Sequence, residues 1–447
     1  MLSVHRPHIL FINPWIHDFA AYDFWAKPLG LLTLAALIRQ HDFEVSYIDC
    51  LDRFHPRTSR TDPSVRFGRG PYRKRLLRKP AGLEDVPRRF SRYGIEPDWL
   101  LEDLKRIGTP DLIMSTSLMT YWYPGVQETI ETLRRVFPKV PVVLGGIYAS
   151  LCRSHAAEST GADEVCTGPA EPQLAGIIRR HTGATLVPKL DPLVLDTYPY
   201  PALDLQTLIA YAPLLTSRGC PFRCAYCASS ILEPRRLLRS PPAVVSEIAH
   251  WHHRHGVVDF VLYDDAFLVD AERHAIPILE KIVASGLPVR FHTPNAVHIR
   301  GIDPLTARLM FKAGFETLRL GLETADFDHR NHLDNKVRAH EFQAAVNCLK
   351  RAGFSTDQVG VYLLAGLPGQ KAASVAESIR FVKRSGLKPI VAQYTPIPQT
   401  PMWPQAVASS RYDLEADPVF TNNAVFPCRK EPFSWRWVAE LKALAQS

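Results

Sequence analysis

Short apolar runs of strand length alternate with longer runs of helical spacing along most of this chain, in two successive blocks. In the first block His8 to Ile12, Phe43 to Ile48, Asp111 to Ser115, Val140 to Leu144 and Asp163 to Cys166 read as strands. Helical runs fall between them at Leu29 to Arg39, at Val126 to Phe137 and near Ala156. Such alternation predicts an α/β fold with a parallel, doubly wound sheet of Rossmann type, its ligands held at the strand carboxyl ends. In the second block Leu208 to Thr216, Val257 to Tyr263, Pro288 to His292, Thr317 to Leu322, Gln358 to Leu364 and Pro389 to Tyr394 read as strands separated by helices. Six strands so arranged fit a six-stranded partial (β/α) barrel, with catalytic groups at its strand carboxyl ends. Ser240 before Pro241-Pro242 and Asp303 before Pro304 mark two helix starts. The chain is long enough for two or three domains, and its 46% apolar content supplies their cores. The expected division is 1–181, a Pro- and Asp-spotted linker 182–207, the barrel 208–404, and a C-terminal extension 405–447. Trp403, Trp435 and Trp437 are read as a cover for the barrel mouth.

The first barrel strand runs into Thr216-Ser217-Arg218-Gly219-Cys220-Pro221-Phe222-Arg223-Cys224-Ala225-Tyr226-Cys227. Three thiolates suit a four-iron cluster, in which each iron wants one outside ligand and a fourth iron stays open for substrate or cofactor. A structural zinc would want a fourth Cys or His close by, and the 22 residues after Cys227 contain neither. The plainer alternative, three buried thiols without a metal, sits poorly with Gly219 and Pro221, which mark a loop. Cys50, Cys152, Cys166, Cys348 and Cys428 are isolated and read as small buried hydrophobes.

The net charge of +8 is unevenly placed: residues 53–97 hold 13 Lys or Arg against four Asp or Glu, while the rest of the chain is close to neutral. Prolines interrupt this segment, so no long helix is expected in it. It is read first as a solvated surface loop and second as a grip on an anionic partner, which keeps nucleic acid open as an unfavoured possibility. No stretch has the ~20 uncharged apolar residues of a membrane span. The opening residues, with His5, Arg6, Pro7 and His8 before a short apolar run, lack a signal-peptide pattern, so a cytoplasmic protein is expected.

The cysteine spacing, with aromatic Tyr226 before the third cysteine, resembles the radical S-adenosylmethionine (SAM) superfamily. That resemblance implies a [4Fe-4S] cluster on Cys220, Cys224 and Cys227 whose open iron chelates SAM, and reductive cleavage of SAM to a 5′-deoxyadenosyl radical. It continues through the barrel. Asp264 and Asp265 stand after the second strand, where the family holds SAM's ammonium group. Leu320-Gly321-Leu322-Glu323-Thr324 resembles the family's Gly-x-Glu-Ser segment, which implies that Glu323 meets the SAM ribose. Arg319 is a partner for SAM's carboxylate, with an Arg319–Glu323 ion pair as the alternative. Gly366 and Leu367 resemble the turn that approaches adenine, and His292, Thr293 and Asn295 are further pocket candidates. Tyr394-Thr395-Pro396-Ile397-Pro398-Gln399-Thr400-Pro401 is close to a stretch common in the superfamily's cobalamin branch.

The first block resembles the cobalamin-binding domain of that branch, which includes the class B radical SAM methyltransferases. Pro28 to Leu37 looks like its first helix, and Thr116-Ser117-Leu118 is a near match to its Ser-x-Leu signal. Gly145-Gly146 and Gly168-Pro169-Ala170-Glu171 follow at family spacing. The resemblance implies cofactor contacts at Thr116, Leu118, Gly145, Gly146, Gly168 and Glu171. The Asp-x-His-x-x-Gly motif is missing, and His17-Asp18 stand in the wrong order, so any cobalamin is expected base-off with no histidine on cobalt. The alternative is a degenerate domain that holds no corrin.

These resemblances imply a radical SAM enzyme that transfers a methyl group through cobalamin to an unactivated carbon of a small molecule, served by an electron donor such as flavodoxin or ferredoxin. A cobalamin-independent radical SAM enzyme and a nucleic-acid-modifying methylthiotransferase-like enzyme are the enzyme alternatives. A non-catalytic corrinoid or SAM sensor is the third, and the intact cysteine triplet argues against it.

Overall fold

The structure, a computed structural model, describes residues 6–59, 61–327, 330, 333–334, 336–430 and 435–446. The side chain of Trp435 lies outside the described residues. The chain divides into two compact units: residues up to Ala210 together with Glu415–Thr421, and Tyr211–Leu414 together with the chain from Asn422 onward. The stretch 415–421, read from the sequence as part of a C-terminal extension, thus packs with the first unit.

The strands of the first unit are β1 (His8–Asn13), β2 (Ile16–Asp18), β3 (Glu44–Asp49), β4 (Lys74–Leu76), β5 (Ser91–Tyr93), β6 (Leu112–Ser115), β7 (Val142–Leu144) and β8 (Glu164–Val165). Five of them form an all-parallel sheet in the order β3-β1-β6-β7-β8. Both faces are covered by helices. Leu10, Ile12, Ile113 and Val142 pack with Ile130 and Leu133 on one side, and Ile9, Phe11, Leu112 and Val143 pack with Leu34, Leu37 and Ile177 on the other. Burial on both faces is why these strands read as continuous apolar runs and not as alternating ones. Each fully buried side chain of this size stabilises the unit by about 1.5–3 kcal/mol. The chain runs outward from β1 to β3 and then crosses back to β6, so a crevice opens at the carboxyl ends of β1 and β6.

The basic segment 53–97 departs from the solvated loop expected first. It supplies β4 and β5, which pair antiparallel with β2 in a separate sheet of order β2-β5-β4. Tyr72, Leu83, Val86, Phe90 and Tyr93 are buried. Much of its charge is neutralised locally: Arg53 pairs with Asp23, Arg57 with Glu102, and Arg73 with Glu96.

The second unit holds β9 (Ala212–Leu214), β10 (Ser217–Arg218), β11 (Leu237–Leu238), β12 (Asp259–Leu262), β13 (Arg290–His292), β14 (Phe315–Glu323), β15 (Val359–Ala365) and β16 (Lys388–Gln393). β9 and β12–β16 form a six-stranded sheet in simple chain order, and every pairing in it is parallel. The expected caps are present. Ser240 Oγ accepts from the Ala243 N–H, and Asp303 forms a reciprocal box with Thr306.

Candidate active site

The cysteine loop leaves β9 and is held in place by groups far along the chain. Asp264, from the turn after β12, accepts hydrogen bonds from the Thr216 N–H at 3.0 Å, the Thr216 hydroxyl at 2.6 Å and the Ser217 hydroxyl at 2.6 Å. Ser217 and Arg218 then pair with Leu238 and Leu237 in the β10–β11 ribbon. Gly219 takes φ +78°, and a Cβ there would lie 2.3 Å from the Arg235 carbonyl oxygen, so only glycine fits between the two. At the centre of the loop the Ala225 N–H donates to the Leu333 carbonyl at 2.8 Å, while the Ala225 carbonyl accepts from the Met402 N–H at 2.9 Å. The Cys227 sulfur receives the Ser229 N–H at 3.4 Å, and the Cys220 sulfur lies 3.9 Å from His298 Nε2.

The three thiols suit a cluster more than a single ion. Among the described residues, no three His, Cys, Asp or Glu side chains lie close enough together to share one metal ion. Cys227 lies near enough to both Cys220 and Cys224 to act on them electrostatically. A multi-iron cluster spreads its ligands over separate corners, and three soft thiolates are its characteristic donor set. Burial pushes the Cys224 thiol up to about 11, and burial likewise raises Cys220. The Lys336 ammonium, hydrogen-bonded to Cys224, pulls the other way and favours thiolate.

Beside the loop lies a buried charge network. Glu323 ends β14 at φ +62°, where the register with β15 breaks between Gly321 and Glu323. A non-glycine residue in this conformation stores strain, and the bulge re-aims its side chain. The carboxylate faces Lys336 and the Tyr226 hydroxyl. Burial raises the pKa of Glu323, and Glu323 in turn raises that of Lys336 against its own burial. The Tyr226 hydroxyl donates to Asp334 at 3.1 Å and accepts from Lys336 Nζ at 3.2 Å. Arg330, fully buried, grips both Asp334 oxygens and the carbonyls of Leu322 and Thr324. The connection after β14 is thereby fastened over the cysteine loop.

The other expected residues fall into two groups. Asp265, Asn295, Gly366 and Leu367 lie at strand carboxyl ends. Asp265 is raised by burial and hydrogen-bonds Ser229. Asn295 is exposed and donates to the Tyr263 carbonyl at 3.0 Å. The Gly366 and Leu367 N–H groups both point to Gln370 Oε1, and the Phe426 ring, with Trp437 packed on it, lies where a Gly366 side chain would stand. Three residues stand apart from expectation. Asp264 is committed to Thr216 and Ser217, so it positions the loop. Arg319 sends its guanidinium to the Leu318 and Gln358 carbonyls, at the amino end of β15 and away from Glu323. The guanidinium so placed speaks against the alternative Arg319–Glu323 ion pair. His292 is locked between Asp259 at 2.9 Å and Thr317 at 3.0 Å in the core.

Lys336, Asp334, Arg330 and His298 were not read from the sequence. They lie in irregular connections without periodicity, and only their long-range partners reveal them. A lysine 13 residues beyond a strand-end Glu is a weak signal at best.

In the first unit, Ser117 joins two of the expected motifs. Its hydroxyl donates to the Gly145 carbonyl at 2.7 Å, and its own carbonyl accepts the Ile147 N–H at 2.8 Å. Gly146 takes φ +98°, and a Cβ there would lie 2.2 Å from the Ser117 carbonyl oxygen. By contrast, a Cβ at Gly145 would meet only the Cys166 oxygen at 3.9 Å, and one at Gly168 nothing within 4 Å. Leu118 is exposed, Glu171 is buried, and Thr116 and Leu118 line a cleft with Asn13, Lys27 and Pro28 at the β1–β6 crevice. Beside this cleft the backbone at Gly145 and Gly168 is left open to approach. His17 is turned away: on β2, it bonds Glu128 at 2.6 Å.

Comparison with known proteins agrees with both halves of this description. Residues 214–382 match the radical SAM superfamily, and residues 90–178 match the B12 binding domain. An uncharacterized methyltransferase of Pyrococcus horikoshii is 23% identical over 350 residues, 71% of this chain and 74% of that one. The anaerobic magnesium-protoporphyrin IX monomethyl ester cyclase of Cereibacter sphaeroides is 24% identical over 343 residues, 68% of this chain and 54% of that one. The radical SAM methyltransferase TsrM of Kitasatospora setae, solved with cobalamin and a [4Fe-4S] cluster, superposes with a TM-score of 0.66. It covers 91% of this chain and 76% of that one at 18% identity, a likeness of fold. Among the described residues, no helix is long and apolar enough to cross a membrane. With the cysteine loop, the parallel sheets and both domain matches in agreement, the chain is an enzyme that carries a radical SAM domain behind a B12-binding domain.

Proposed function

We propose that this enzyme methylates an unactivated carbon of a small molecule, in the cytoplasm. When bound, a [4Fe-4S] cluster with SAM supplies a 5′-deoxyadenosyl radical, and base-off cobalamin supplies the methyl group. Cys220, Cys224 and Cys227 hold the cluster. Asp265 accepts from SAM's ammonium, Glu323 from its ribose, and Lys336 balances negative charge beside Cys224, while Asn295, Gly366 and Leu367 border the same pocket. Thr116, Leu118, Gly145, Gly146, Gly168 and Glu171 make room for the corrin. A flavodoxin or ferredoxin delivers the electron. All eight cysteines are free, which suits a reducing compartment.

The observation that carries this reading is the three-thiol loop pinned by Asp264, Leu333 and Met402 beside the Glu323–Lys336 charges. Buried charges of both signs suit a zwitterionic cofactor, because each ionic end of SAM finds an opposite partner out of water. A second reading, ring formation, is favoured by the likeness to the cyclase. Anaerobically reconstituted enzyme, given SAM labelled in its methyl group and an extract of its host cells, separates the two. Methyl transfer places label in a product and releases 5′-deoxyadenosine; ring formation releases 5′-deoxyadenosine with no label transferred. Absence of 5′-deoxyadenosine under reducing conditions defeats both.

A further inference from the structure

The small sheet β2-β5-β4 treats its two faces differently. Strand alternation puts His17, Arg92 and Arg75 on one face, where they stand opposite one another in the ladder. That face is matched by acids: Glu128 bonds His17 at 2.6 Å and Arg92 at 2.6 Å, and Glu96 takes Arg75 at 3.3 Å. The other face carries Lys74, Leu76 and Tyr93, with Arg88 and Arg89 beside them. There a cavity of about 340 Å³ is floored by Phe19 and Tyr93, both 5% exposed, and edged by Leu76 at 59% exposed. Arg88 faces Asp18. Asp18 is already committed, accepting from the Phe19 and Ala20 N–H groups and from Trp122 Nε1 at 2.7 Å. Among the described residues, no carboxylate lies within ion-pair distance of Lys74 or Arg89.

Cations gathered round a concave apolar floor repel one another, and while acids match the cations of the reverse face and Asp18 faces Arg88, Lys74 and Arg89 have no such match among the described residues. We propose that this cleft is a binding site for a phosphate monoester with an aromatic or apolar body. The guanidinium fork of Arg89 and the ammonium of Lys74 suit a phosphate dianion. Phe19, Tyr93 and Leu76 suit the body it carries. The volume is that of a single small-molecule pocket, not of a groove tracking a nucleic-acid backbone. The proposal is independent of the radical chemistry, because binding is measured without SAM or reductant.

Phenyl phosphate is the probe, titrated calorimetrically into the full-length protein, with phenol and inorganic phosphate as its two halves. The wild type is expected to bind phenyl phosphate more tightly than either half. The Lys74→Ala/Arg89→Ala double variant should weaken phenyl phosphate at least about tenfold, since each lost charge-assisted contact is worth roughly that much. Both side chains are exposed, so the thermal midpoint should stay put. Arg75→Ala, on the reverse face, should leave phenyl phosphate affinity unchanged. Absence of saturable binding by the wild type, or equal affinity in the double variant, overturns the proposal. So does tight binding of a short single-stranded RNA that phenyl phosphate fails to displace.

Discussion

The carboxyl ends of the two large parallel sheets are prepared in opposite ways. In the second unit the strands follow chain order, and the loops above them are filled with buried charge: Glu323, Asp334, Arg330 and Lys336, all tied to one another or to Tyr226. In the first unit the strand order reverses beside β1, and the loops above the crevice hold glycines, Thr116 and the exposed Leu118, with a smaller buried charge group in which Lys27 lies 4.0 Å from Asp49 and Asn13 donates to Asp49 at 2.7 Å. One site is made mainly by adding charged groups, the other mainly by keeping loop residues small. Recognition of a small zwitterion needs fixed opposite charges, because each desolvated ionic end must find a partner. Accommodation of a large planar group needs space and backbone approach. Substitutions should therefore act differently: removal of a side chain should damage the second unit's site, and addition of one should damage the first's.

The largest effect is expected at the cysteines. Replacing Cys220, Cys224 and Cys227 together with Ala should abolish the cluster's visible absorption after reconstitution and all SAM cleavage. A triple variant that keeps four irons per chain breaks the comparison at its root. Next is Gly146→Ala. The new Cβ would meet the Ser117 carbonyl at 2.2 Å with φ at +98°, so a loss of about 2–4 kcal/mol in stability is expected, with loss of corrin retention. Gly168→Ala, whose Cβ meets nothing but whose φ is +71°, should cost only the backbone strain of about 1–2 kcal/mol and leave corrin retention intact. Equal effects in a denaturant titration of the two variants would show that the first unit's glycines serve only the backbone.

A third effect depends on pH. Burial holds His274, which contacts Thr216 at 2.8 Å beneath the cysteine loop, at about 4. A histidine kept neutral binds fewer protons folded than unfolded. Its contribution is full above pH 6.5 and is lost as pH falls toward about 4, a change on the order of 3 kcal/mol. His274→Gln should flatten the acid limb of the stability curve measured by chemical denaturation, and an unchanged limb would assign that loss to other groups. Glu323→Gln comes fourth. It keeps the shape and removes the charge, so SAM binding should weaken about tenfold or more, equivalent to roughly 1.5–3 kcal/mol, without unfolding. Unchanged SAM affinity would make the strained Glu323 purely structural. The smallest effect is expected from His17→Ala. Because His17 is bonded to Glu128, the base-off corrin spectrum of protein purified with hydroxocobalamin should be unaltered; a shift in that spectrum would put His17 on cobalt.

Periodicity and spacing along the chain carried the architecture a long way. The runs from His8 to Ile12 and from Val140 to Leu144 are apolar because their strands are buried on both faces, and burial leaves its mark residue by residue. The cysteine triplet, the Ser240 and Asp303 caps and the glycine pair are likewise local, since each rests on a few neighbouring residues and on a backbone conformation they require. Local chemistry, however, does not state where a side chain points. Asp264 and Asp265 are adjacent, yet one is absorbed by Thr216 and Ser217 and the other is not. Arg319 and Glu323 share a strand, yet a bulge parts them and the Arg319 guanidinium runs back to the amino end of β15. Lys336 gains its place from Cys224 and Glu323, 99 residues apart in the chain. The basic segment became a sheet with acids matched to the cations of one face only because β2 and Glu128 came to lie against it. Alternation, caps and ligand spacing were thus properties of the sequence itself, whereas partner choice among buried charges was decided by tertiary packing, because a charge out of water is governed by whatever the fold brings within a few ångströms of it.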